Sequence, residues 1–118
     1  MPDWLADLFR AIDAKDAARF ASFVAEDGTF LFANAPAVVG RAAICEAVTG
    51  FFASIRSLAH EVSSVAEQGT QLWCRGTVTY VRLDGSTLNV PFSNYFEMRG
   101  GKVGHYQIYV DASKLYAP

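Results

Sequence analysis

Three turn signals, Gln68-Gly69, Asp84-Gly85 and Gly100-Gly101, cut the second half of this chain into four long stretches rich in apolar residues. Tight hairpin turns need positive φ, which glycine adopts without steric penalty. The spacing therefore predicts strands over 57–67, 70–83, 86–99 and 102–111, joined by three successive hairpins into an antiparallel meander. At ten to fourteen residues these strands exceed the usual length, so the sheet has to twist and curl.

The first half reads differently. Over residues 3–14, Trp4, Leu5, Leu8, Phe9 and Ile12 share one helical stripe, with Asp3 placed to cap the start. Asp16 caps a second, short helix whose inward residues are Phe20, Phe23 and Val24, and Glu26-Asp27-Gly28 is expected to end it. Residues 29–34 read as a short strand, stopped by Ala35-Pro36. A third helix follows Gly40, with Ile44, Val48, Phe51 and Ile55 at helical spacing. Helices first and strands afterwards argue for an α+β fold. The expected architecture is three N-terminal helices packed on a strongly curved antiparallel sheet, a cone-shaped α+β barrel with an internal pocket. With no repeat, linker or low-complexity stretch, residues 1–118 read as one domain.

The 118 residues carry a net charge of −2 and no block of Lys or Arg, which argues against nucleic acid as a partner. No apolar run is long enough to span a bilayer, and Met1-Pro2-Asp3-Trp4 lacks a secretory start, so a cytoplasmic location is expected. Cys45 and Cys74 form no Cys-x-x-Cys pair and no His cluster offers zinc spacing. Two thiols in a reducing compartment are the plain reading. No phosphate-binding or dinucleotide fingerprint occurs, so neither a metal nor a cofactor is expected.

Alternation along the strands separates their faces. In 86–99, Leu88, Val90, Phe92, Asn94, Phe96 and Met98 form the inward face, with Asn94 its single polar member. In 102–111, Tyr106, Ile108 and Val110 turn inward. In 57–67, Leu58, Val62 and Ala66 share a face with His60 and Ser64, and in 29–34, Phe30 and Phe32 share one with Asn34. The stretch 70–83 is apolar on both faces, which suggests that its outer face is also covered. Buried amides, imidazoles and phenols need partners or cost about 1–3 kcal/mol. Asn34, His60, Asn94 and Tyr106 are thus either satisfied internally or line a ligand cavity. No carboxylate falls on an inward strand face: Glu61, Glu67, Glu97 and Asp111 take the other parity, and Asp111 is placed to cap the following turn.

The layout resembles the nuclear transport factor 2-like superfamily, in particular its SnoaL-like and limonene-epoxide-hydrolase-like branches. The carriers are Ala14-Lys15-Asp16, the segment from Phe23 to Phe30, Gly40-Arg41-Ala42-Ala43-Ile44, the run from Val90 to Val103, and Tyr109-Val110-Asp111. The resemblance implies a conical sheet with three helices, a deep pocket and often a homodimer through the outer sheet faces. The catalytic patterns are not kept. The epoxide-hydrolase-like Arg-x-Asp pair falls on Thr77 and Thr79, the other Asp on Ile108, the Tyr on Phe32, and only the Asn survives, as Asn34. The acid/base Asp of SnoaL-type cyclases falls near the same Ile108. The ketosteroid-isomerase positions fall near Leu8, Phe32 and Asn94, which leaves a hydrogen-bond donor without a base.

Three functions follow in order of preference. The first is a pocket protein for a small, neutral, hydrophobic molecule, lined by Phe32, Asn34, Thr77, Thr79, Phe92 and Ile108. The second is an isomerase, cyclase or hydrolase, with His60 as general base and Asn94 and Tyr106 polarising a carbonyl. The third is a dimeric interaction module using the outer sheet face.

Overall fold

The computed structural model describes residues 1–118. Helix α1 spans Asp3–Asp13 and buries Leu5, Leu8, Phe9, Ala11 and Ile12. Pro2, not Asp3, is its N-cap and makes no side-chain cap; Asp3 instead sits in the first turn, where a carboxylate favours the helix dipole. Helix α2, Ala17–Ser22, is capped as the sequence predicts, with the Asp16 carboxylate accepting from the Arg19 main-chain N–H at 3.0 Å. It ends at Phe23, and strand β1 runs Val24–Phe32. Glu26-Asp27-Gly28 therefore lies inside a strand and does not terminate the helix. The local pairing is irregular there, with a register shift between Val24 and Thr29 that hides the alternation.

A two-residue strand, β2 (Val38–Val39), precedes helix α3 (Arg41–Ala53). Gly40 caps α3 at φ 97°, a conformation that favours glycine. Ile44, Val48 and Phe52 form the buried stripe of α3, while Phe51, expected on that stripe, is only half-buried. Strands β3 (Ser57–Gln68), β4 (Gln71–Val81), β5 (Thr87–Arg99) and β6 (Lys102–Val110) complete a six-stranded sheet ordered β2-β1-β6-β5-β4-β3. The meander β3 to β6 is antiparallel throughout. The sheet is mixed because β1 pairs parallel to β6. None of the helices is long and apolar enough to cross a membrane.

The curl has a local cause. A register shift in β3 between Val62 and Ser64 leaves Ser63 without a partner across the ladder. A Cβ on Gly76, opposite this bulge, would lie 1.9 Å from the Glu61 carbonyl oxygen. The backbone of β3 thus folds over Gly76, and the bulge coils the sheet around its inner face. The same shift corrects the parity read from sequence. Leu58, His60 and Val62 turn inward, but beyond the bulge Val65 takes the inward side while Ser64 and Ala66 are exposed. The three helices cover the concave face, where Leu5, Leu8, Phe9, Phe20, Ile44 and Phe52 join inward strand residues in one core.

Candidate functional site

Between the helices and the concave face lies a cavity of about 210 Å³. Its 18 lining residues include 16 hydrophobic ones, and the other two are Pro36 and His60. A single water needs only about 10–15 Å³ of such space, and apolar cavities of about 150 Å³ stay dry and take up benzene. All six strands contribute to the floor and walls, β3 through Leu58 and His60, and Ile12, Phe20, Val48 and Phe52 of the helices form the roof. Exposed Ala35, Pro36 and Ala47, with half-buried Phe51, mark its outer lip.

The expected register holds where it matters most. Asn94 is buried on the inner face, Ser93 is exposed and Tyr95 is half-buried on the other. Phe32, His60, Phe92, Tyr106 and Ile108 all line the cavity. Three other expected lining residues do not. Asn34 is exposed, because β1 stops at Phe32 and Ala33 turns the chain at φ 52°, which ends the alternation. Thr77 and Thr79 lie on the outer face, since Cys74, Gly76, Val78 and Tyr80 hold the buried parity of β4. There the Thr79 hydroxyl accepts from the Asn89 amide at 2.8 Å. The inward positions of that strand at the cavity are Val78 and Tyr80.

His60 is held from a helix, a feature the strand pattern could not show. Asp13, the last residue of α1, places Oδ1 at 2.6 Å from His60 Nδ1, and its Oδ2 accepts from the His60 main-chain N–H at 3.0 Å. A carboxylate only accepts, so Nδ1 is the nitrogen that donates to Asp13. The ring packs against Phe9 and Phe92, with centroids 4.8 and 5.2 Å away, and the side chain is 10% exposed. Sequence did hold a signal for Asp13: Leu5, Phe9 and Asp13 recur at i, i+4 and i+8, on the helical face that turns inward.

A second polar group lies behind the cavity wall. Asn94, 1% exposed, pairs across the sheet with Cys74 on one side and Ile108 on the other. Its Nδ2 donates to the Tyr106 hydroxyl at 3.4 Å, and its Oδ1 has no partner. Burial pushes the Cys74 thiol up to about 12, partly offset by the neighbouring Asn94 amide. Burial also pushes Tyr80 up to about 12, with Tyr116 adding to the rise. Tyr106 is driven well above the ordinary phenol range by its own burial and then by Cys74, Tyr80 and Asp13. These groups are neutral donors at physiological pH, not charges. Outside the cavity, Asp111 caps the turn after β6, accepting from the Ser113 main-chain N–H at 3.0 Å.

The SnoaL-like domain profile matches residues 5–106 of this chain. No curated protein matches it at a significant level. Among solved structures, a hypothetical protein with a ketosteroid isomerase-like fold from Catenulispora acidiphila, in complex with trimethylamine, superposes with a TM-score of 0.90. That match has 18% identity and covers 99% of this chain and 92% of the other. TerC co-crystallised with polyporic acid gives a TM-score of 0.82 at 18% identity, over 92% and 89% of the two chains. A protein assigned as a SnoaL-like polyketide cyclase from Jannaschia sp. CCS1 gives 0.77 at 17% identity, over 97% and 92%. At such identities the likeness establishes the shared fold.

Proposed function

The chain belongs to the SnoaL-like domain family, and from that premise we propose that its cavity binds one small, neutral, hydrophobic molecule. The observation that carries this reading is the cavity itself: about 210 Å³, with 16 of 18 lining residues hydrophobic. Small-molecule sites have this form, an apolar wall with a few placed polar groups. The ligand complexes of two structural neighbours, with trimethylamine and with polyporic acid, support a pocket used for small molecules. Apolar burial gains about 0.8 kcal/mol per CH₂ against an association cost of several kcal/mol, so a ligand of one or two rings is expected to bind in the micromolar to millimolar range. Calorimetric titration with indane tests this. One saturable site is expected, and Ala47→Trp at the exposed lip should block it. No saturable binding, together with no hydrophobic compound in a solvent extract of the purified protein, would refute the reading.

One observation favours a second reading, acid–base catalysis on the bound molecule. His60 lines an apolar cavity while Asp13 holds its Nδ1, the arrangement expected of an oriented general base. Such a base is worth about 10²–10⁴ in rate. Deuterium exchange of the α-protons of 1-indanone, followed by NMR, measures it. Acceleration by the wild type that His60→Gln abolishes and Asp13→Asn weakens is expected; equal rates in all three would exclude this role.

We further infer that the protein forms a homodimer through the outer sheet face, where Trp73 and Tyr109 are 38% and 54% exposed and Trp73 packs on Tyr95. Light scattering should give twice the chain mass, reduced to the monomer by Trp73→Glu. Free Cys45 and Cys74 suit a reducing compartment, and the cytoplasm is the location this reading assigns.

A further inference from the structure

Resting on the ligand-binding reading above, we propose that the cavity selects an aromatic ring over a saturated hydrocarbon of the same carbon skeleton. Aromatic residues make up 14% of the chain, yet eight of the 18 residues that line the cavity are Phe or Tyr. Burial alone does not require this, because Leu, Ile and Val close an apolar cavity equally well. What aromatic side chains add is a quadrupole, with a negative face and a positive edge. A second ring can match it and a saturated skeleton cannot.

Six of the eight form two groups. Phe20, Phe30 and Tyr106 come from α2, β1 and β6, with Phe30 5.4 Å from Tyr106 at 86° and 6.0 Å from Phe20 at 73°. Phe32, Phe51 and Tyr80 come from β1, α3 and β4, with Phe51 5.0 Å from Phe32 at 47° and 6.2 Å from Tyr80 at 86°. Rings that stand nearly at right angles cannot all turn the same aspect to one flat neighbour. The lining therefore offers edges as well as faces, and an entering ring finds edge-to-face or offset contacts in more than one orientation. Each such contact is worth about two- to tenfold in affinity beyond the area it buries. A cation is also drawn to ring faces, by about thirtyfold when desolvated. Leaving water without a counter-charge costs a cation about a thousandfold or more, and the cavity lining contains no carboxylate. Asp13 is not part of that lining and is committed to His60. The class that fits is a neutral arene.

Headspace gas chromatography over solutions of the protein measures the binding of indane and of hydrindane, its saturated counterpart. A saturated hydrocarbon leaves water more readily than an arene, so each dissociation constant is multiplied by that compound's hexadecane–water partition coefficient. On this scale indane should bind about tenfold more tightly than hydrindane. Phe51→Leu and Phe32→Leu, both at half-buried positions, should each lower that preference about threefold. Thermal unfolding checks that the variants fold; either one alone suffices, and the wild-type comparison needs neither. A corrected preference near one in the wild type, or one that no folded variant lowers, overturns aromatic selection while leaving hydrophobic binding intact. Absence of binding by both compounds overturns both.

Discussion

Replacing Gly76 with alanine should damage this fold more than any other single added methyl at a glycine. The new Cβ would lie 1.9 Å from the Glu61 carbonyl oxygen and 2.9 Å from the Val62 Cα, whereas real Cβ atoms essentially never approach closer than 3.0 Å. The obstruction is backbone, so relief requires β3 to move away from β4 by about 1.1 Å, the difference between those two limits. Ladder hydrogen bonds near 2.9 Å do not survive such a displacement. Two or three bonds beside the Val62–Gly76 pair, each worth about 1 kcal/mol net, are lost, and overpacking adds about 1–3 kcal/mol. The expected loss is about 3–6 kcal/mol, a large part of the roughly 5–15 kcal/mol typical of a domain. Urea unfolding followed by circular dichroism measures it. Gly104 supplies the internal control, because a Cβ there meets only the Arg99 guanidinium, 2.7 Å away on a flexible side chain. Gly104→Ala should cost under about 1 kcal/mol. Equal losses for the two variants, or a loss below 1 kcal/mol for Gly76→Ala, would refute the claim that close passage of β3 over Gly76 shapes the cone.

Gly50 lies inside α3 with nothing within 4 Å of an added Cβ, so Gly50→Ala should stabilise the protein by about 0.5–1 kcal/mol in the same unfolding assay. Burial pushes Cys74 and Tyr80 up to about 12 from 9.0 and 10.0, so the native state keeps protons that the unfolded chain releases. Their contribution is full below the unfolded values and is lost as pH rises through the folded ones; stability should therefore decline between pH 9 and 12, less steeply in Cys74→Val, by urea titration across that window. Arg82 donates to the main-chain carbonyls of Leu115 and Ala117, and Leu115 is buried in the core, so Arg82→Ala should speed amide hydrogen exchange at Leu115 and Ala117 and lower stability by about 1–3 kcal/mol.

The regular parts of this fold were legible and the irregular parts were not. Gly69, Gly85, Gly100 and Gly101 all adopt positive φ, which is why their dipeptides announced the hairpins. Alternation in β5 and β6 gave the inward set, including Asn94, Tyr106 and Ile108, because neither strand shifts register between Phe92 and Glu97. Prediction failed wherever a backbone irregularity intervened. The bulge at Ser63 moved Ala66 outward, the positive φ of Ala33 moved Asn34 outward, and the irregular pairing of β1 disguised Glu26-Asp27-Gly28 as a helix end. Thr77 and Thr79 failed for another reason: both faces of β4 are apolar enough that composition could not choose between them. Parity had to come from the cross-strand partners, Pro91 and Asn89, which are exposed.

Those irregularities also decide what chemistry the cavity holds. His60 faces inward because it lies before the bulge of β3; counted from the far end of the strand, the same alternation would have turned it outward. Its inward turn would be unfavourable on its own, since an imidazole among Phe9, Phe92 and Leu58 needs a partner for Nδ1. Asp13 provides it from a different element, where α1 ends beside the start of β3, and the same carboxylate also takes the His60 main-chain N–H. The consequence is a cavity wall whose one imidazole, His60, is held in place from helix α1. Binding and proton transfer are then not rival readings of one cavity, because the apolar wall proposed to take up a molecule and the imidazole proposed to act on it belong to the same lining.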